Sequence, residues 1–152
     1  MWKRWLYLLL ALGLAALIVF TSTRTGEQNG EAGGNIIEWI NASVFQNQLD
    51  QEEQISIVAV AAKLFGHFSL FLVDGLFFDL FLRTFSRLYR TRIIVLLVVS
   101  LVLSSLGEIV QIFSVGRYPA LHDVFLDMTG FWMAPLIAIL YDKELPRPQA
   151  KP

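Results

Sequence analysis

Seven polar side chains set within or against long apolar runs are the residues of this sequence that could do chemistry: Lys63, His67, Glu108, Gln111, Arg117, Asp123 and Asp127. Their spacing is regular. Lys63, His67 and Asp74 stand at offsets of 0, 4 and 11, Ser104, Glu108 and Gln111 at 0, 4 and 7, and Asp123, Asp127 and Gly130 at 0, 4 and 7. In a helix each set lies along one face. The chemistry open to them is of three kinds. Lys63 and Arg117, with a protonated His67, could hold an anionic group, because the planar guanidinium gives paired hydrogen bonds to phosphate or carboxylate. His67 could serve as a base with Glu108 or Asp123 as the acid and Arg117 stabilising developing charge. A metal set could be drawn from His67, Glu108, Asp123 and Asp127 with His122 nearby, but carboxylate-rich sets suit several divalent ions and the spacing selects none. Ser69, Ser104 and Ser105 have no partner at a spacing that marks a nucleophile. The pattern therefore assigns no catalytic residue, no metal and no cofactor, and it favours binding over catalysis.

The elements that carry these residues are apolar. The chain has 152 residues, 55% of them hydrophobic, and a mean hydropathy of +0.57, an excess that points to lipid as the solvent of much of its surface. A net charge of -1 offers no basic field for nucleic acid. The absence of cysteine removes disulfide and thiolate chemistry. Four apolar segments are read, at about 2–20, 55–82, 93–113 and 123–141, each near the ~20 residues a helix needs to cross ~30 Å of hydrocarbon. Only helices satisfy their own backbone in lipid, so the expected fold is an all-α membrane protein with four transmembrane helices forming one domain. The first segment follows Lys3 and Arg4 but ends on Val19–Gly26 without a small-x-small cleavage site, which reads as an uncleaved signal anchor.

Loop charge sets the expected orientation. Segment 83–92 holds Arg83, Arg87, Arg90 and Arg92 and no acid, whereas 21–54 holds Arg24 against Glu27, Glu31, Glu38, Asp50, Glu52 and Glu53. Basic loops stay cytoplasmic, so both termini are expected inside and the loops 21–54 and 114–122 outside. Within the first outer loop, Glu27–Asn35 reads as a flexible linker. Ile36, Ile37, Ile40 and Val44 at helical spacing beside Trp39 fit a short interfacial helix or a loosely packed loop segment equally well. Asn41–Ser43 matches a glycosylation sequon, a weak signal at that length.

This topology brings Lys63, His67, Glu108, Gln111, Arg117, Asp123 and Asp127 to one leaflet. Taken singly, several have plain explanations. Lys63 could snorkel to headgroups, His67 could be a satisfied core histidine, Asp123 could favour the start of its helix, and Asp79 could pair with Arg83 one turn on. Asp74 sits near mid-membrane with no such explanation. A charge at the centre of a spanning helix costs ~2.5–3.5 kcal/mol on insertion scales, so the stripes are expected to face one another or a wet cavity. Gly130 would let a neighbouring helix come close.

The run Gly107–Phe113 followed by Gly116–Arg117 and then His122–Gly130 resembles the signature of the VanZ-like membrane proteins. In that pattern Glu108, Gln111, Phe113, Arg117, Asp123 and Gly130 match, Lys63, His67 and Phe68 resemble an upstream element, and Thr21–Gly26 resembles the Ser-rich end of the first helix. Asp127 stands where the family usually has Asn, Phe71 where it commonly has Tyr, Leu70 where it often has Glu, and Ala134 at a second small-residue position. The resemblance implies a small multi-pass protein of the bacterial cytoplasmic membrane, with membrane lipids as partners. It also implies a link to resistance against the glycopeptide teicoplanin. The expected function is recognition of an anionic envelope lipid or glycopeptide-related ligand. The alternatives are a hydrolase or transferase acting on an envelope lipid, and a proton-coupled transporter in which Asp74 and His67 sketch a polar path.

Overall fold

The computed structural model describes residues 2–44, 52–85 and 89–144. Among them every regular element is a helix: α1 (Trp2–Thr23), α2 (Gly26–Ser43), α3 (Glu52–Arg83), α4 (Tyr89–Gln111) and α5 (Leu121–Glu144). The apolar runs dictate the long helices and polar residues end them. At the end of α1 the hydroxyls of Thr21 and Ser22 both donate to the Ile18 carbonyl, at 2.9 and 3.0 Å, and that of Thr23 to the Phe20 carbonyl at 2.7 Å. These hydroxyls bond back to carbonyls three and four residues earlier, as Ser and Thr commonly do in helices. Beyond α4 the amides of Ile112, Phe113 and Ser114 bond three residues back, so the segment expected to span to 113 tightens into turns after Gln111.

Among the described residues, three helical segments are long and apolar enough to cross a bilayer: Trp2–Thr23, Ser56–Arg83 and Arg90–Gln111. α5 has 24 residues and carries Asp123 in its first turn and Asp127 one turn on. The basic segment is shorter than 83–92, because Arg90 and Arg92 belong to α4. Asp50, Arg87 and the tail beyond Glu144 lie outside the described residues.

The reading of Glu27–Asn35 as a flexible linker is corrected: this stretch is the first half of α2. Its glycines disfavour a helix by ~1 kcal/mol each relative to Ala. A capping box offsets part of that: Thr25 Oγ1 accepts from the Gln28 amide at 3.2 Å, and Gln28 Oε1 accepts from the Thr25 amide at 3.1 Å. The remainder comes from packing on α3. Gly33, Gly34, Ile37 and Ile40 are partly buried, while Ile36, Trp39 and Val44 are exposed. The helix expected over 36–44 is therefore the second half of a longer one.

α1 packs on α3 and α4, and α5 packs on the same two helices, so α1 and α5 stand across from one another. The core is Ile18, Phe71, Leu96, Leu103 and Phe131, with Ala15, Val19, Leu70, Phe78, Leu82 and Val99 against it. α3 and α5 come closest. A Cβ on Gly130 would lie 2.5 Å from the Phe68 carbonyl oxygen, and one on Gly75 would lie 2.5 Å from that of Phe131. Small residues let helix backbones meet this way in apolar surroundings. Pro135 adds a reason: it has no N–H, so the Phe131 carbonyl lacks its helical donor, and this is the carbonyl that Gly75 approaches.

Candidate functional site

Two pairs join α3 to α5. Lys63 Nζ donates to Asp123 Oδ2 at 3.1 Å, and His67 Nδ1 lies 3.0 Å from Asp127 Oδ1. Each step of four residues along α3 matches a step of four along α5, so the two helices run parallel and the pairs stack one turn apart, about 6 Å. Gly130 follows on the same face of α5 and sets how near the helices lie. Exposure divides the pairs by sign. The side chain of Lys63 is 52% exposed over an Asp123 that is 3% exposed, and His67 is 27% exposed over an Asp127 at 4%. His122 Nε2 lies 3.1 Å from Asp123 Oδ1 and is itself 75% exposed. When Asp127 is ionised it can only accept, so His67 then carries its hydrogen on Nδ1, and in the neutral ring Nε2 is left as an acceptor.

A second network closes the loop between α4 and α5. Gln111 Nε2 donates to Glu108 Oε1 at 2.9 Å, Arg117 Nε donates to Gln111 Oε1 at 3.2 Å, and the Ala120 amide donates to Glu108 Oε2 at 2.6 Å. Glu108 and Gln111 are one helical step apart (i, i+3) and buried. Between them they satisfy each other, orient the guanidinium and hold the residue from which α5 starts, since the Ala120 carbonyl accepts from the Asp123 amide at 3.0 Å. α1 braces the same loop. Ser114 Oγ donates to the Ser22 carbonyl at 3.1 Å, and the Gly26 amide donates to the Val115 carbonyl at 2.9 Å. Gly116 has φ +73, a conformation glycine adopts without strain, and a Cβ on Gly26 would collide with its carbonyl oxygen.

The structure thus brings all seven residues to one end of the bundle, in two networks joined through Ala120–Asp123. Lys63, His67, Asp123 and Asp127 form one; Glu108, Gln111 and Arg117 form the other. Asp74 belongs to neither. It is 1% exposed, deeper along α3. Among the described residues no group of three or more His, Asp or Glu side chains is placed to hold a metal ion. At the opposite end Asp79 Oδ2 accepts from Arg83 Nε at 2.7 Å, the pair expected from their i, i+4 spacing, and Arg92 Nε lies 3.8 Å from Asp79 Oδ1.

Sequence reasoning missed four participants. Ala120 acts through its backbone amide and leaves no side-chain signal. Gly26 and Gly116 meet backbone to backbone, and only the φ of Gly116 carries a trace of this, as a glycine beside a polar turn. Ser22 was visible as part of the polar close of α1 but acts through its carbonyl.

No curated protein and no solved structure matches the chain. The family model described as VanZ/LLP1 matches residues 5–142, a range that includes both networks and nearly all of every helix. The chain belongs to the VanZ/LLP1 family.

Proposed function

We propose that this chain is a four-span protein of the bacterial cytoplasmic membrane, with both termini inside, whose outer end recognises an anionic envelope lipid headgroup or glycopeptide-related ligand and thereby contributes to glycopeptide resistance. Family membership and the apolar helices support the membrane setting. The observation that carries the ligand reading is the division of charge by exposure. Asp123 is buried beneath Lys63, and the buried Glu108–Gln111 pair holds Arg117 through Nε. The acids are committed to protein donors and fix the cations, while Lys63 keeps half its side chain open. A fixed guanidinium and an ammonium at the same end of the bundle suit a phosphate, which takes paired hydrogen bonds from the first and a point charge from the second. Mass spectrometry of lipids co-purified with wild type, Lys63→Ala and Arg117→Ala tests this. A lipid class carried by the wild type and lost from both variants is expected. Identical lipid profiles in all three would remove the reading.

His67 favours a second reading, a hydrolase or transferase acting on an envelope lipid. Its Nδ1 is oriented by the buried Asp127, the arrangement that frees Nε2 to take a proton. Turnover of labelled envelope lipids by reconstituted protein, abolished in His67→Ala, is the outcome it requires.

A further inference from the structure

The interior of the bundle holds polar side-chain atoms that have no hydrogen-bond partner in the protein. Asp74 Oδ1 and Ser104 Oγ are both buried and without a hydrogen-bond partner. Asp74 is 1% and Ser104 0% exposed. The Phe131 carbonyl, which lacks its helical donor because residue 135 is proline, lies against Gly75, the neighbour of Asp74. Buried polar groups in native proteins are nearly always satisfied, and exceptions point to something small that the protein atoms do not supply.

The register orders these groups along the bundle. Arg92 beside Asp79 aligns the inner ends of the antiparallel α3 and α4, so Asp74 stands level with about residue 97 of α4, within a turn of Ser100. Ser100, Ser104 and Glu108 follow one another at steps of four on the buried face of α4, and all three are buried. Ser100 Oγ is already engaged, donating to the Leu97 carbonyl at 2.9 Å. By the same register Ser104 stands about level with His67, and the steps from Glu108 through Ser104 and Ser100 descend towards the level of Asp74, about 10 Å below His67 by helical rise. No counter-charge meets Asp74 from its neighbours among the described residues. The buried residues of α1 are Ala11, Ile18 and Ser22. α5 presents Phe131 and Ala134, and its charged groups Asp123 and Asp127 are engaged at the outer end by Lys63, His122 and His67. On α3 the flanking charges are His67, towards the outer end, and Asp79, which holds Arg83 and Arg92 at the inner end.

We propose that Asp74 is a proton-binding site in the membrane interior, reached from the outer polar site along the Ser104 face of α4. Its carboxyl carries a proton, donates it to an acceptor of this pocket, and exchanges it with the outer medium. An isolated carboxylate in such surroundings is disfavoured, and uptake of one proton removes the charge without any other partner. It also turns an acceptor into a donor in a place where acceptors outnumber donors. This inference is independent of which ligand the outer site binds.

Infrared spectroscopy of the protein reconstituted in liposomes tests it. The expected result is a protonated-carboxyl band that is lost in Asp74→Asn and that shifts in the wild type when the outer medium is changed to deuterium oxide. Ser104→Ala should keep the band and slow its shift. Identical carboxyl bands in wild type and Asp74→Asn would overturn the site. A band that disappears on adding sodium would assign the pocket to a metal cation instead, and an unchanged exchange rate in Ser104→Ala would overturn the route. Lipid co-purification by Asp74→Asn, which leaves the outer networks intact, reports separately on the outer site.

Discussion

Replacing Glu108 removes two contacts of different kinds, and the choice of replacement separates them. In Glu108→Ala the Ala120 amide loses its acceptor at the start of α5, and Gln111 Nε2 loses its partner. Leaving a partly buried donor unmet costs ~1–3 kcal/mol, so a lower melting temperature in detergent is expected together with loss of co-purified lipid. Glu108→Gln keeps a carbonyl oxygen for Ala120. Its NH2 then faces Gln111, which can accept only by turning its own amide towards Arg117, a donor. That variant is expected to melt close to wild type yet to lose the lipid, because Arg117 is no longer held. The α3–α5 pairs make a similar contrast. Removing one partner of a buried pair leaves a buried charge uncompensated, whereas an exposed partner is partly replaced by water. His67→Ala, which strips Asp127, is therefore expected to destabilise more than Lys63→Ala, after which Asp123 still has His122 beside it. Equal melting shifts in the two variants would mean that burial is not what distinguishes the pairs.

α3 and α5 are held by glycines whose effects can be told apart by what surrounds them. Gly75→Ala and Gly130→Ala each set a Cβ 2.5 Å from a backbone carbonyl oxygen, and backbone cannot yield as a side chain does. Overpacking of this kind costs ~1–3 kcal/mol, and Gly130→Ala should also part Asp127 from His67. Gly66 lies on the same helix with nothing within 4 Å of a Cβ, so Gly66→Ala should be neutral or gain ~0.5–1 kcal/mol from helix propensity alone. Thermal unfolding of the three variants in one detergent checks the order. The sequence made this level partly legible. Steps of four on Lys63/His67 and Asp123/Asp127 were enough to expect facing stripes, because helical periodicity is local. The parallel register follows once alternate spans are counted. α2 was not legible over Glu27–Asn35, because its glycines argue locally for a linker. The contacts that overrule them, the Gly26–Gly116 junction and the packing on α3, lie far off in the chain. The link from Glu108 to Ala120 was hidden for the same reason: a backbone amide has no residue type to read.

Across the molecule polarity is inverted relative to a water-soluble bundle. Leu9, Phe20, Ile57, Phe65, Ile94, Val98 and Leu101 are exposed, while Asp74, Asp79, Ser100, Ser104, Glu108, Asp123 and Asp127 are buried. Composition alone foretold this, since 55% hydrophobic residues exceed what one small core can take. What composition does not contain is the direction of insertion, which rests on where arginines accumulate. The two ends of the bundle differ in kind. One carries the paired cations and acids of α3 and α5 together with the Arg117 loop. At the other, Arg83 and Arg92 gather at Asp79, and the Arg4 guanidinium lies 5.8 Å from the Phe85 ring centroid. If the arginine-rich end is cytoplasmic, the candidate site faces the medium from which a glycopeptide arrives. If it is reversed, no extracellular ligand could reach Lys63 or Arg117. The chain has no cysteine, so single cysteines report without background. Cysteine at Tyr118, 87% exposed beside Arg117, and at Gln28 in α2 should react with a membrane-impermeant maleimide on intact cells. Cysteine at Thr84, exposed just beyond α3, should react only after the membrane is opened. Labelling of the Thr84 variant on intact cells, with protection of the Tyr118 variant, would place the site in the cytoplasm and exclude extracellular ligands as its partners.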